Sequence, residues 1–220
     1  MRKVVAAAFV SLDGVMQAPG GLSEDPTGGF PFGGWIVPYS DEATNEWVGA
    51  LFAAPFDLLL GRKTYEIFAA YWPFKPADDP IAEPFNRATK YVATRTGAPL
   101  TWAKSATLTD AAADVARLKQ EDGPTLLTQG SSDLLQTLLA EGLIDEFRLM
   151  TFPLILGRGK RLFGASAAPG GLKLTRSAVS SSGVTLGVYE PAGPVRTGSF
   201  ETPEPNALET ARQARMKREG

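Results

Sequence analysis

A glycine, two cations and a hydroxyl follow one another at the end of a short apolar run, in the segment Gly61-Arg62-Lys63-Thr64. A strand that turns through glycine into a helix points backbone N–H groups outward, and the helix dipole adds partial positive charge there. The side chains of Arg62 and Lys63 add two full charges. The pattern indicates a phosphate-binding turn, and the alternative is an ordinary strand-to-helix turn whose cations are solvated.

Two further predicted strands end in residues that suit phosphate, Thr94-Arg95 and Gly130-Ser131-Ser132-Asp133. Because the carboxyl ends of parallel strands share one edge of a sheet, the three segments could converge on one ligand with several phosphates. Small residues at 130–132 would let backbone amides approach a pyrophosphate. The guanidinium groups of Arg62 and Arg95 could pair with a ribose 2′-phosphate. The alternative is that each segment is an ordinary loop.

The composition narrows the chemistry that the chain can supply. Its 220 residues include no histidine and no cysteine, which excludes disulfides, most zinc sites and every Ser-His-Asp triad. We expect no metal site, and proton transfer would have to use a carboxylate, lysine, tyrosine, water or the substrate itself. A formal net charge of −2 implies no broad basic face, so no nucleic-acid partner is expected. The absence of cysteine is compatible with a cytoplasmic protein.

The elements that must position these residues follow from hydrophobic periodicity. No apolar run approaches the roughly 18 residues of a membrane-spanning helix, so no membrane partner is expected. The succession of elements predicts an α/β fold, a mostly parallel central sheet with an antiparallel C-terminal edge and helices on both faces. Strands are predicted at 2–10, 57–61, 90–94, 125–128, 144–152, 172–179 and 183–190, and helices at 41–53, 63–71, 110–120 and from about 132 to Gly142.

Several connections and helix ends carry their own signals. Residues 11–34 are rich in glycine and proline, which predicts a ligand-covering loop or, alternatively, a surface insertion without a role. Ser40 and Thr109 are suited to cap the helices that follow them. Residues 73–84 are predicted to be a loop. After a domain at 1–190, the proline-rich and charged segment 191–220 is predicted to be a tail, in which residues 207–219 are a loose helix or disordered.

The ordered motifs resemble the dihydrofolate reductase superfamily. The likeness is closer to the reductase domain of the bifunctional riboflavin deaminase/reductase and to its stand-alone bacterial relatives. It implies a dihydrofolate-reductase-like fold, NADPH as hydride donor, a small-molecule substrate and a homodimer whose interface could be the region 143–190. The resemblance covers about residues 2–190. The segments that carry it are Phe9 to Gly14, Leu60 to Glu66, Gln129-Gly130-Ser131 with Leu134, and Leu143 to Leu149 together with Pro153 to Phe163.

The resemblance also implies roles for individual residues. Residues from Ala8 to Gly14 would line the nicotinamide, and the loop at 15–34 would cover it. Thr94 and Arg95 would lie by the adenosine end. The pyrophosphate and the 2′-phosphate region would be held by the turn Gly61, Arg62, Lys63 and Thr64 and by the backbone of Gly130, Ser131, Ser132, Asp133 and Leu134.

The active-site acid of dihydrofolate reductases lies on the first helix, where Asp41 is the nearest candidate and Glu42 and Glu46 are alternatives. A carboxylate in the first turn of a helix also stabilises the helix dipole, and this second interpretation of Asp41 stays open. The candidate contacts to the substrate are Trp35 and Asp13, of which Asp13 is also a candidate catalytic residue because it ends the first strand.

The chain departs from the riboflavin reductases at two motifs. Val15 stands where they usually carry a cation, and Gly130-Ser131 replaces their paired glycines. The resemblance therefore predicts the cofactor and leaves the substrate open. We expect an NADPH-dependent reductase of a small heterocyclic or carbonyl substrate, similar to 5-amino-6-(5-phosphoribosylamino)uracil reductase or dihydrofolate reductase. The alternative is a non-catalytic, NADPH- or nucleotide-binding regulatory protein.

Overall fold

Strands are interspersed with helices along the first 152 residues of the computed structural model, which describes residues 1–164, 167–200 and 204–219. The strands are β1 (Val4–Ser11), β2 (Phe56–Gly61), β3 (Lys90–Ala93), β4 (Ser105–Leu108), β5 (Thr125–Gln129), β6 (Glu146–Phe152), β7 (Leu172–Val179) and β8 (Thr185–Pro191). The helices are α1 (Glu42–Phe52), α2 (Arg62–Ala69), α3 (Ala82–Arg87), α4 (Ala111–Gln120), α5 (Ser132–Ala140) and α6 (Ala207–Glu219).

The strands form one sheet of eight strands in the order β4-β3-β2-β5-β1-β6-β8-β7. Pairing is parallel from β4 through β6, and it is antiparallel between β6 and β8 and between β8 and β7. The predicted mostly parallel sheet with an antiparallel C-terminal edge is therefore confirmed. In this order the carboxyl ends of β2, β3 and β5 are neighbours, so the turns that follow them lie along one edge.

Alternate residues of the central strands pack on opposite faces of the sheet. In β1, Val4 and Ala6 belong to the apolar cluster that includes Val115 of α4 and Leu135 of α5. Ala7 packs instead into the cluster that includes residues of α1, α2 and α3. Helices thus cover both faces, as the sequence predicts. Since both faces are covered, Leu58, Leu59 and Leu60 of β2 are all completely buried, which explains why this strand has a continuous apolar run.

Two elements were not anticipated by the sequence analysis. The segment predicted to be a loop at 73–84 contains a short 3₁₀ turn at Trp72–Phe74, and its last residues begin α3. The strand β4 has no predicted counterpart, because it lies at the sheet edge and only Leu108 among its residues is buried. An edge strand of this kind has no hydrophobic alternation by which it could be recognised.

The caps of two helices lie one residue later than predicted. Asp41, and not Ser40, caps α1, since its Oδ1 accepts a 2.9 Å hydrogen bond from the Thr44 N–H. Asp110, and not Thr109, caps α4 through a 3.1 Å bond from the Ala113 N–H. In both cases two good capping residues are adjacent in sequence, and the backbone conformation selects the second.

The C-terminal segment leaves the sheet after Pro191. Its charged part forms α6, a helix without a buried residue, so the helical alternative for 207–219 is the one observed. Residues 201–203 and 220 of the predicted tail lie outside the described residues. Among the helices of the described ranges, none combines the length and the apolar character that crossing a bilayer requires.

Candidate functional site

A cleft of about 1260 Å³ lies along the edge where the parallel strands end. Residues from the ends of β1, β2, β3, β4 and β5 contribute to its wall. All predicted cofactor-binding residues except Ala8 line this cleft, namely Gly61, Arg62, Lys63, Thr64, Thr94, Arg95, Gly130, Ser131, Ser132, Asp133 and Leu134. The sheet order thus brings three separate turns to one place.

Two hydrogen bonds connect the turn after β2 to the turn after β5. The Gly61 N–H donates to Ser131 Oγ at 2.9 Å, and the Ser131 N–H donates to Thr64 Oγ1 at 3.1 Å. Gly130 and Ser131 both have left-handed backbone conformations, with φ of 73° and 65°. This sharp turn starts α5 beside the start of α2, so the N-termini of two helices open on the same cleft.

The first-turn amides of these two helices have no side-chain cap. The other four helices of the described ranges are each capped by a side chain that accepts from a first-turn or N-cap N–H: Asp41, Asp79, Asp110 and Asn206. Among the described residues, no side chain accepts from the amides of Arg62, Lys63 and Thr64, or of Ser132, Asp133 and Leu134. An uncapped helix N-terminus is suited to bind an anion, and here two such termini are adjacent.

Three cations surround this end of the cleft. Arg62 is held in place, since its Nε donates to Glu66 Oε1 at 2.7 Å and its Nη1 donates to the Ala98 carbonyl at 2.9 Å. Lys63 and Arg95 are exposed, and within the described ranges neither forms an ion pair. The hydroxyl of the buried Thr94 lies 3.1 Å from that of Thr96 and fixes the loop after β3.

These groups fit a dinucleotide cofactor with several phosphates. Free backbone amides can bind a pyrophosphate, and the guanidinium groups beside them can pair with a further phosphate. Ligand sites usually have volumes of about 300–1,000 Å³. The cleft exceeds this range, and it therefore has room for a dinucleotide together with a small second molecule.

The opposite end of the cleft combines apolar side chains with polar ones that include Gln17, Glu24, Asp25 and Lys160. The amide of Gln17 donates to the carbonyls of Asp25 and Thr27, each at 2.9 Å, and its Oε1 accepts from the Lys160 N–H at 3.1 Å. The Lys160 ammonium forms an ion pair with Asp25. These contacts fasten the glycine-rich loop to the segment 157–161. The apolar side chains that line the cleft include Phe9, Met16, Ile36, Phe68 and Trp72.

Glu24 and Asp25 are adjacent in sequence, and the pKa values of their carboxyls are shifted in opposite directions. Glu24 Oε2 accepts hydrogen bonds from the N–H groups of Gly20 at 2.6 Å and Gly21 at 3.1 Å, but burial raises the pKa of this carboxyl above its usual value. Burial acts in the same direction on Asp25, where hydrogen bonds from Lys160 and Thr27 outweigh it and lower the pKa. The surroundings in the cleft therefore shift the two carboxyls in opposite directions, raising the pKa of Glu24 and lowering that of Asp25.

These polar residues carry no recognisable signal in the sequence. Glu24 and Asp25 lie in the loop that is predicted to cover a ligand, but no motif distinguishes them from the neighbouring positions. Lys160 lies in one of the segments that carry the family resemblance. Its partner Asp25 is 135 positions away, so the pairing depends on the tertiary fold.

Four residues predicted to act near the substrate or cofactor do not line the cleft: Ala8, Asp13, Trp35 and Asp41. Ala8 is buried within β1. Trp35 is buried behind the cleft wall, where its Nε1–H donates to the Gln17 carbonyl at 2.8 Å. Trp35 therefore supports Gln17 instead of facing the cleft.

Asp13 and Asp41 both bind loops. Asp13 accepts from Ser11 Oγ at 2.6 Å and from the N–H groups of Leu156 and Gly157, and these bonds lower its pKa to about 2. Asp41 Oδ2 accepts from the Ser182 N–H at 2.9 Å, while Oδ1 caps α1; these bonds hold its pKa well below the usual range. Both groups are thus carboxylates with structural partners. The alternatives Glu42 and Glu46 are exposed on α1 and do not line the cleft.

Known sequences match the part of the chain that contains all the cleft-lining residues. The family model of the RibD C-terminal domain matches residues 2–186. YyaP, an uncharacterized protein of Bacillus subtilis (strain 168), is 26% identical over 191 residues, which are 86% of this chain and 94% of YyaP. The tail after β8 lies outside the family match.

Solved structures share the fold. A putative riboflavin biosynthesis protein from Shewanella sp. PV-4 superimposes with a TM-score of 0.57 and 20% identity, over 86% of this chain and 99% of that chain. Dihydrofolate reductase from Enterococcus faecalis, in a complex with NADP(H), gives a TM-score of 0.55 and 13% identity, over 86% and 96% of the two chains. At these identities the likeness shows the fold, and the predicted dihydrofolate-reductase-like architecture is confirmed.

Proposed function

The chain belongs to the RibD C-terminal domain family, as its motifs predict, and from this membership we propose that it is an NADPH-dependent reductase of a small heterocyclic or carbonyl substrate. The observation that carries the proposal is the pair of uncapped helix N-termini that open on one cleft, with Arg62, Lys63 and Arg95 around them. The complex of the Enterococcus faecalis dihydrofolate reductase with NADP(H) supports this choice of cofactor.

At the cationic end, the chain binds and orients the cofactor. The amides at the start of α2 and α5 would hold the pyrophosphate, because they lack any other described acceptor. Arg62 and Arg95 would pair with the 2′-phosphate and so confer a preference for NADPH over NADH. NADPH supplies the hydride, while the protein supplies position and a site that excludes water.

At the other end, the chain would hold the substrate. The apolar side chains there would pack on the flat faces of a heterocycle, and the polar atoms of Gln17 and Glu24 would orient its hydrogen-bonding edge. The ion pair with Asp25 neutralises Lys160, so this end has less positive charge than the phosphate end. Such surroundings favour binding of a small, largely uncharged part of the substrate.

The test is a titration of intrinsic fluorescence with NADPH and with NADH, followed by assays of NADPH oxidation with a panel of acceptors. The panel contains dihydrofolate, 5-amino-6-(5-phosphoribosylamino)uracil, and small aldehydes, ketones and cyclic imines. We expect tighter binding of NADPH and turnover of at least one acceptor. Equal affinity for both cofactors, or binding of neither, would refute the proposed cofactor. NADPH binding without any turnover would support the alternative of a regulatory, non-catalytic protein.

We further propose that the chain forms a homodimer through the β7 edge of the sheet. All eight residues of β7 are exposed, and they include Leu172, Leu174 and Val179, which are 43%, 50% and 70% exposed. An apolar edge strand left open in this way favours association, and a second copy would cover it.

A further inference from the structure

The cleft wall contains four acidic side chains. Two of them already have a structural partner, and a third lies at the cationic end of the cleft. Asp25 is paired with Lys160, and Asp110 caps α4. Asp133 lies in the first turn of α5, at the end where the phosphates would bind. Glu24 is the remaining acid, and it lies at the end that would hold the substrate.

The two oxygens of Glu24 differ in their surroundings. Both hydrogen bonds from the Gly20 and Gly21 amides go to Oε2, and among the described residues none donates to Oε1. In the protonated carboxyl, Oε2 therefore acts as the carbonyl oxygen and the proton resides on Oε1. The side chain is half-buried in the cleft wall, so its position is fixed while Oε1 stays available for a ligand.

We propose that Glu24 is the proton donor of the reduction, an inference that rests on the proposed function. The unsaturated carbon of the substrate takes the hydride from NADPH, and the oxygen or nitrogen bonded to it takes the proton from Oε1 of Glu24. One C=O or C=N π bond is lost, one C–H bond and one O–H or N–H bond form, and NADP⁺ is the oxidised product. The Glu24 carboxylate regains its proton from water after the product leaves.

The charges around Glu24 favour its protonated form. Burial raises the pKa of this carboxyl, and the negative charge of Asp25 raises it further, in opposition to the two backbone hydrogen bonds. Lys160, the cation of the segment that packs against this loop, is paired with Asp25 and forms no ion pair with Glu24. A general acid has to be protonated before it can donate, so a raised pKa suits this role.

The first experiment measures the titration of Glu24 directly. The carboxyl resonances of protein labelled with ¹³C-glutamate are followed against pH in the NADPH complex, and Glu24→Gln assigns the resonance of interest. We expect that this resonance titrates above the ordinary value for glutamate, and that Glu141→Gln, an exposed matched control at the end of α5, leaves it unchanged. A Glu24 resonance that titrates at or below the ordinary value would overturn the inference.

The second experiment uses the acceptor that the wild-type protein reduces fastest. Glu24→Gln keeps an oxygen that can accept from both glycine amides, but it cannot donate an acidic proton. We expect kcat to fall by about 10²-fold or more, the decrease of kcat at high pH to disappear, and the Kd for NADPH to stay the same. Glu24→Asp should restore part of kcat together with the pH dependence, and Glu141→Gln should match the wild type.

These outcomes separate the two proposals. If NADPH does not bind at all, the proposed function fails. If NADPH binds and Glu24→Gln keeps the wild-type kcat and pH profile, the assignment of Glu24 fails while the proposed function stands. A circular-dichroism spectrum of each variant shows whether it is folded. If Glu24→Gln does not fold, the titration of the wild-type resonance decides, with Glu24→Asp used for its assignment.

Discussion

The backbone N–H of Ser131 donates a 3.1 Å hydrogen bond to the side-chain oxygen of Thr64, although 67 positions separate the two residues. The bond joins the first turn of α2 to the residue that precedes α5. It therefore fixes the spacing between the two helix N-termini that form the proposed phosphate site.

Thr64→Val tests this connection, because valine keeps the shape of threonine and removes the acceptor. We expect NADPH to bind about 5- to 20-fold more weakly, since the half-buried Ser131 N–H loses its acceptor, at a cost of about 1–2 kcal/mol, and the two turns lose their fixed spacing. Fluorescence titration measures the change. Thr185→Val, at the exposed start of β8, is the control and should bind as the wild type does. Unchanged affinity in Thr64→Val would show that the bond does not organise the site.

Glu66→Gln tests the role of Arg62. In the free protein Glu66 holds the Arg62 guanidinium at 2.7 Å and would compete with a phosphate for it. Removal of this carboxylate is expected to raise the affinity for NADPH about 2- to 4-fold, because an exposed i,i+4 ion pair contributes a free energy of that size. The affinity for NADH should stay the same. Arg62→Gln should have the opposite effect on NADPH. An equal change for both cofactors would place Arg62 away from the 2′-phosphate.

Asp13→Asn tests the carboxylate that binds the loop at 156–157. The native-state pKa of about 2 lies below the ordinary value of 3.8, so the native state favours the charged form more than the unfolded chain does. This stabilisation is complete above about pH 5 and is lost as the pH falls from about 4 to 2. At neutral pH we expect Asp13→Asn to lower Tm by roughly 2–4 °C.

The difference between Asp13→Asn and the wild type should then shrink as the pH is lowered toward 3 in thermal unfolding followed by circular dichroism. Asp78→Asn, at an exposed loop position, provides the control and should show little difference at any pH. A difference in Tm that stays constant between about pH 6 and pH 3 would contradict the assignment.

Leu174→Arg tests the proposed homodimer. Sedimentation velocity should give a dimer for the wild type, and a charge on the exposed face of β7 should shift the population toward monomer. Leu208→Arg on α6, a still more exposed leucine outside the sheet, should leave the dimer intact. A wild-type protein that sediments as a monomer would refute the proposal.

The fold and the convergence of the turns after β2 and β5 on one edge of the sheet could be predicted because their signals are local. The apolar run of β2 identifies a strand buried on both faces, and the rule that parallel strands end at one edge brings Gly61 and Gly130 together. The ion pair of Asp25 and the hydrogen bonds of Glu24 could not be predicted, because they depend on how a long loop folds back. The neighbour of that loop, Lys160, comes from a distant part of the chain, and single-sequence patterns carry no information on such pairs.

Asp41 and Asp13 illustrate a further limit. A carboxylate near the end of a strand or helix suits catalysis and capping equally well in the sequence. Only the positions of Ser182 and Gly157 show that both groups already bind neighbouring loops.

If the uncapped starts of α2 and α5 bind a dinucleotide, as the proposed function has it, the stability of the protein depends on that ligand. A molecule that binds only the folded chain adds RT ln(1 + [L]/Kd) to the free energy of unfolding, about 2.7 kcal/mol at a concentration of 100 Kd. On the proposed function, the dinucleotide pool of the cell would thus help to set how much of this protein survives proteolysis. When that pool falls, its abundance would fall as well.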